Sequence, residues 1–159
     1  MSLQQPIGSD HQLARLLQIG VVLEEVVEAR AAKHAQSLDD LDEDIEGLLA
    51  HAVEESAEHR ERLEGLVEQL DAETVPFEEI KLLVEQQYEA DADFDGVLYD
   101  QLANEETAYK FYDDLIAAIE ESDVDFGVDR EQLLDTLRGI REEEAAGVEA
   151  VTDLMETRA

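Results

Sequence analysis

Apolar residues recur along the chain at three- and four-residue spacings, in four long stretches. That period is the signature of amphipathic helices, and no segment competes as a strand. The first stretch, Asp10 to Leu38, places Leu13, Leu16, Ile19, Leu23, Val26, Val27 and Ala31 on its apolar side. Ser37-Leu38-Asp39-Asp40 then offers a break and a fresh N-cap with acids in the first turn. A second helix is predicted over Asp40 to Ala72, through Leu48, Leu49, Ala52, Leu63, Leu66 and Leu70. Pro76 ends it or opens a short helix, Phe77 to Tyr88. Asp91 to Gly96 is a turn, Val97 to Glu121 a third long helix, and Asp129 to Thr157 a fourth.

Helices of this length are about 38 to 45 Å long, so only near-parallel packing buries them against one another. The fold class is therefore all-α, a four-helix bundle. Tight connections make the first two helices an antiparallel hairpin, and the last two another. Glu73 to Gly96 is long enough to return the chain along the bundle as a crossover carrying the short helix. One domain spans 1–159, with residues 1–9 expected to be a flexible N-terminus.

Each long helix also carries an ionisable residue on its apolar stripe, because positions three, four and seven apart share a face. Glu28 is in line with Val21, Ala31, Ala35 and Leu38. His59 is in line with Ala52, Ser56, Leu63, Leu66 and Leu70. Glu105 lies on the stripe of Leu98, Leu102, Ala108, Tyr112 and Leu115, and Glu144 on that of Leu137, Ile140, Gly147, Val151 and Leu154. A lone buried carboxylate costs several kcal/mol unless it is paired or binds a metal. Four such residues of Glu and His type converging in one core are a candidate site for a divalent ion. Glu55 and Glu143 each sit one position off the inner stripe and become alternatives if a helix rotates slightly.

Composition narrows the picture. With 43 acidic residues against 11 Lys and Arg, the net charge is −32. A surface this acidic repels phosphate backbones and anionic lipid, which argues against nucleic-acid and membrane partners. No run of 18 apolar residues offers a membrane span, and no basic, apolar leader points to secretion, so a cytoplasmic protein is expected. Zero cysteines exclude disulfides, thiolate metal sites and a nucleophilic cysteine. The chain is 44% hydrophobic and patterned, so it is not simply a disordered acidic polymer. Abundant acid with only Lys33, Lys81 and Lys110 as lysines matches proteins that work in concentrated salt, where the Debye length falls to about 3 Å.

Other motifs are weaker. Asp91-x-Asp93-x-Asp95-Gly96 matches the start of an EF-hand loop, but its twelfth position is Leu102 where a bidentate Glu belongs. No His-Glu-x-x-His and no Gly-rich phosphate loop occurs.

Two hairpins joined by one long crossover, with glutamates at matching depth, resemble the ferritin-like di-iron proteins of the rubrerythrin type. Glu105-x-x-Ala108-x-x-x-Tyr112 resembles that family's first and third helices, and Glu28-x-x-Ala31-x-x-x-Ala35 is a weaker copy. Ala52-x-x-x-Ser56-x-x-His59 resembles its second helix with Ser56 in place of Glu, and Ile140-x-x-x-Glu144-x-x-Gly147 its fourth with Gly147 in place of His. The family takes one Glu from each of two helices and a Glu-x-x-His from each of the others. Both Glu-x-x-His units are incomplete here. The resemblance implies iron or manganese held by Glu28, His59, Glu105 and Glu144, iron or peroxide redox chemistry, and a homodimer. The other reading is a metal-free bundle serving as a binding or assembly module.

Overall fold

The computed structural model describes residues 7–37, 43–74, 76, 78–79, 82 and 97–157. Among the described residues there are four long helices, α1 Asp10–Ser37, α2 Glu43–Glu68, α3 Val97–Glu121 and α4 Arg130–Thr157, and no strand. Local chemistry sets their ends. Ser9 Oγ accepts from the Gln12 amide at 3.2 Å, and Asp129 Oδ2 from the Gln132 amide at 3.1 Å, so both act as N-caps. The second helix stops four residues before the predicted Ala72, because Gln69 and Leu70 bond three residues back, to Leu66 and Val67, and tighten the last turn. The short helix at 77–88 and the turn at 91–96 fall almost wholly outside the described residues.

Helix α1 packs most extensively on α2 and α3 on α4, while α1 also meets α3 and α2 meets α4. Asp10, at the start of α1, accepts the amide of Asp71 beyond α2 and the amide of Gly127 beyond α3. A Cβ at Gly127 would lie 2.9 Å from the Gln69 carbonyl oxygen, so this junction closes only around glycine. At the other end of α1, Arg30 and His34 both reach the Asp100 carboxylate, at 2.7 and 3.0 Å. Residues 1–6 lie outside the described region, but Ile7 is no loose end. It is buried, and its carbonyl accepts from Ser122 Oγ at 2.5 Å.

The buried face of α1 differs from the predicted stripe. Leu13, Leu17, Val21, Val27 and Ala31 are in the core, whereas Ile19 is 37% exposed and Ala35 is exposed. The apolar side is wide enough to be drawn along two lines, and the packed one runs through Leu17, Val21, Glu24 and Ala31. The stripes of α2 and α4 hold better: Ala52, Ser56, His59, Leu63, Leu66 and Leu70 are buried, as are Leu137, Ile140, Glu144 and Val151.

The core is split by a polar layer. A large cluster built on Leu13, Leu17, Leu63, Tyr112, Leu115, Leu133 and Leu137 fills one end, and a small one of Ala31, Leu49 and Ala52 lies toward the other. Between them sit Glu24, His59, Gln101, Glu105 and Glu144, all buried. No described helix is long and apolar enough to cross a membrane.

Candidate metal centre

His59 is the hub of the polar layer. Its ring is fully buried, with Nδ1 3.0 Å from Glu144 Oε1 and 3.3 Å from Glu24 Oε1, and Nε2 2.6 Å from Glu143 Oε2. Glu143 is partly exposed and also receives the Arg62 guanidinium at 3.0 Å, which links the buried ring to the surface. Tyr112, on α3, donates its phenol to Glu24 Oε1 at 3.0 Å. Gln101, one turn before Glu105, donates its amide to Glu105 Oε1 at 2.8 Å.

These donors do not suffice. Glu24 Oε2 and Glu105 Oε2 are both buried, and among the described residues no N–H or hydroxyl group reaches either. Glu24 and Glu144 gather at the His59 imidazole, and Glu55 and Glu105 gather at Glu144, so among the described residues the layer holds four carboxylates and one imidazole. Only protons or bound cations make that arrangement tolerable at low dielectric.

The titration behaviour follows. Burial pushes Glu144 far above the usual carboxylate range, reinforced by hydrogen bonding to Glu105 and the charges of Glu24 and Glu105. Burial alone would lower His59, but its hydrogen bond to Glu24, the Glu24 charge and the bond to Glu143 outweigh it and hold the imidazolium above the ordinary histidine value. Burial also raises Glu55, against the pull of His59 and with the push of Glu105. Burial and the neighbouring carboxylates raise Tyr112 well above a free phenol, so it remains a donor. Glu143 moves the other way: burial is outweighed by hydrogen bonds from His59 and Arg62, and its pKa is lowered.

Of the four residues read from the sequence, His59, Glu105 and Glu144 are brought together in the layer. Glu28 lies apart. It sits one turn further along α1, half-buried, where Arg60 holds it together with Glu25. Glu24 occupies the inner position of α1 instead, completely buried. A signal for it exists in the sequence, since Glu24 lies seven residues from both Leu17 and Ala31 and three from Val21. Glu55 does join the layer, half-buried and four residues before His59. Gln101 and the phenol of Tyr112 as supports for the carboxylates have no distinguishing sequence mark.

The donor set suits a divalent ion. Glu24, His59 and Glu144 offer ligand atoms within 4.8 Å of one another, and so do Glu55, Glu105 and Glu144. Carboxylate and imidazole donors of this kind bind first-row divalent metals. No family model, characterised protein or solved structure matches this chain.

Proposed function

We propose that this chain is a ferritin-like metalloprotein of the rubrerythrin type, binding iron or manganese in the middle of its bundle. The observation that carries the reading is the polar layer: Glu and His side chains from all four helices meet where Glu24 Oε2 and Glu105 Oε2 are buried with no donor among the described residues. The proposed ligands are Glu24, His59, Glu105 and Glu144, with Glu55 adjoining; Glu28 lies outside the site, paired with Arg60.

The proposed topology is two antiparallel hairpins joined by one long crossover carrying a short helix. Its support is that α2 ends beside Asp10 while α3 begins beside Arg30 and His34, at opposite ends of α1. A bound iron or manganese ion would supply one-electron redox chemistry, consistent with an oxidoreductase acting on iron or peroxide. The chain's own part is to orient and to exclude. Tyr112 fixes Glu24, Gln101 fixes Glu105, and the leucine-rich cluster keeps water from one side of the layer. Glu143 fixes the outer nitrogen of His59, leaving Nδ1 turned toward Glu24 and Glu144.

The excess of acid supports a protein of a salt-rich cytoplasm, and a homodimer is the proposed assembly. A second reading rests on one observation: burial beside Glu24 and Glu105 favours a Glu144 that keeps its proton, and that proton lowers the charge of the layer, as a metal-free assembly module would require. Thermal melts of chelator-stripped protein, with and without anaerobic Fe2+ or Mn2+, separate the two. A metal at about a hundredfold excess over its Kd stabilises by roughly 2.7 kcal/mol, a rise of about 5 to 10 °C for a chain of this size. An unchanged melting temperature with both ions would overturn the metal reading.

A further inference from the structure

On the outside of the bundle, a groove of about 710 Å³ runs between α3 and α4, floored by Tyr109, Ala145 and Val148. It extends from Glu106 to Asp113 on α3 and from Glu142 to Glu149 on α4, about 10 Å or two turns along each helix. Tyr109 is 38% exposed, and Tyr99, 63% exposed, stands two turns before Glu106 on the same line of α3. In a chain that is only 5% aromatic, two of the four tyrosines are thus left in water on the outer side of one helix. Tyrosine beside small apolar residues is the composition of a contact surface rather than of a solvated one.

The rim of the groove is acidic. Asp113 is held by Arg141 at 2.8 Å, but among the described residues no cation lies within ion-pair distance of Glu106, Glu142 or Glu149. Lys110 also lines the groove and reaches none of the three. An apolar floor between uncompensated carboxylates suits an apolar stripe flanked by cations, as on one face of a basic amphipathic helix. A second copy of the chain does not meet that requirement. Two-fold pairing through this face would set Glu106, Glu142 and Glu149 against their own equivalents, and each copy carries a net charge of −32.

We propose that the α3–α4 groove docks a basic amphipathic helix of a partner protein. Its apolar side chains sit on Tyr109, Ala145 and Val148, and its Lys or Arg side chains reach Glu106, Glu142 and Glu149. At molar salt, with a Debye length of about 3 Å, these carboxylates act only on cations in contact, so they set orientation while the floor supplies the affinity. The inference is independent of the metal reading, since no side chain of the groove is a proposed ligand.

The test uses the full chain in about 1 M salt, which suppresses the general attraction of an acidic protein for cations. The probe is a peptide of about 18 residues, five helical turns, with leucines on one face, lysines beside them and a single Trp among the leucines. The chain itself has no Trp, so the emission of the peptide reports docking. The expected result is one peptide bound per chain, and no binding of the same peptide with Glu in place of Lys. Tyr109→Ala should weaken binding by about tenfold or more, and Glu142→Gln with Glu149→Gln by about threefold or more. Asp123→Asn with Glu131→Gln changes the charge equally at exposed positions outside the groove, and should leave affinity within about twofold. All these side chains are exposed, and circular dichroism checks that each variant keeps its helices. A lysine peptide that does not bind, a glutamate peptide that binds as well, or equal losses in the groove and control variants would overturn the proposal.

Discussion

The Glu105 carboxylate lies directly against Gly147, its Oε2 2.6 Å and its Cδ 2.8 Å from the point a Cβ would occupy. Gly147 is therefore part of the polar layer without contributing an atom to it. Gly147→Ala should push Glu105 off its Gln101 hydrogen bond and weaken Mn2+ binding by about tenfold. Gly139→Ala, on the same helix with nothing within 4 Å, should leave metal binding alone and raise stability by about 0.5 to 1 kcal/mol through helix propensity. Manganese titration and urea unfolding of the two variants check this pair.

Glu24 and Glu28 are one turn apart on α1 and face different partners. Glu24→Gln should reduce metal affinity by about tenfold or more, because it removes a charged ligand from a fully buried position. Glu28→Gln should leave affinity within about twofold and cost only part of a half-buried ion pair to Arg60, about 1 kcal/mol or less. Equal losses in the two variants, read by equilibrium dialysis, would mean that α1 presents a different face to the core.

The metal-free protein should become less stable as pH rises. Glu144 and His59 both have raised pKa values in the folded state, so the native chain holds their protons more tightly than the unfolded one. Their stabilisation is complete below the ordinary values of 4.5 and 6.5 respectively, and it is lost as pH climbs through the folded values. Glu143, with a lowered pKa, opposes this at the acid end, but it is partly exposed and its effect is screened. Melts in molar salt with chelator should give a lower melting temperature at pH 8 than at pH 6, and added Mn2+ should flatten the difference. A melting temperature that rises with pH in the metal-free protein contradicts this.

Lowering the salt should destabilise the fold. With 43 acids against 11 Lys and Arg, dilution to about 0.01 M extends the Debye length to roughly 30 Å, so carboxylates repel across the whole bundle. The apolar clusters do not change, and the loss should reverse when salt is restored. Acidification to about pH 4.5 at low salt should recover part of the structure, because surface Asp and Glu begin to take up protons. Circular dichroism across a salt series checks both. A melting temperature flat from low to molar salt would remove the basis for a salt-adapted protein.

Much of this was legible in the sequence where periodicity and burial agree. The helix over Val97 to Glu121 matches its predicted bounds, and the stripe of α2 places His59 on the inside because Ala52, Ser56, Leu63 and Leu66 define one narrow line. Helix α1 was ambiguous for a physical reason. Its apolar residues cover so much of its circumference that lines through Ile19 and through Leu17 are nearly equal in hydrophobicity, and packing against α2 and α3 selects the second. That choice puts Glu24 inside and hands Glu28 to Arg60. Gly147 read as a missing ligand in sequence terms, whereas in space it is the cradle of Glu105; only the approach of α3 to α4 shows this. Nothing in the sequence distinguishes Gln101, whose amide bonds Glu105 only because both lie on the buried side of α3.

The most direct measurement is metal content per chain. The protein is prepared in iron- and manganese-replete medium, dialysed, and analysed beside Glu24→Gln and Glu106→Ala, the last an exposed position about 100° around α3 from Glu105. The wild type and Glu106→Ala should retain iron or manganese in stoichiometric amount, and Glu24→Gln should lose most of it. A wild-type chain that retains neither metal, or a Glu24→Gln variant that retains as much as the wild type, would contradict a metal centre built on this polar layer.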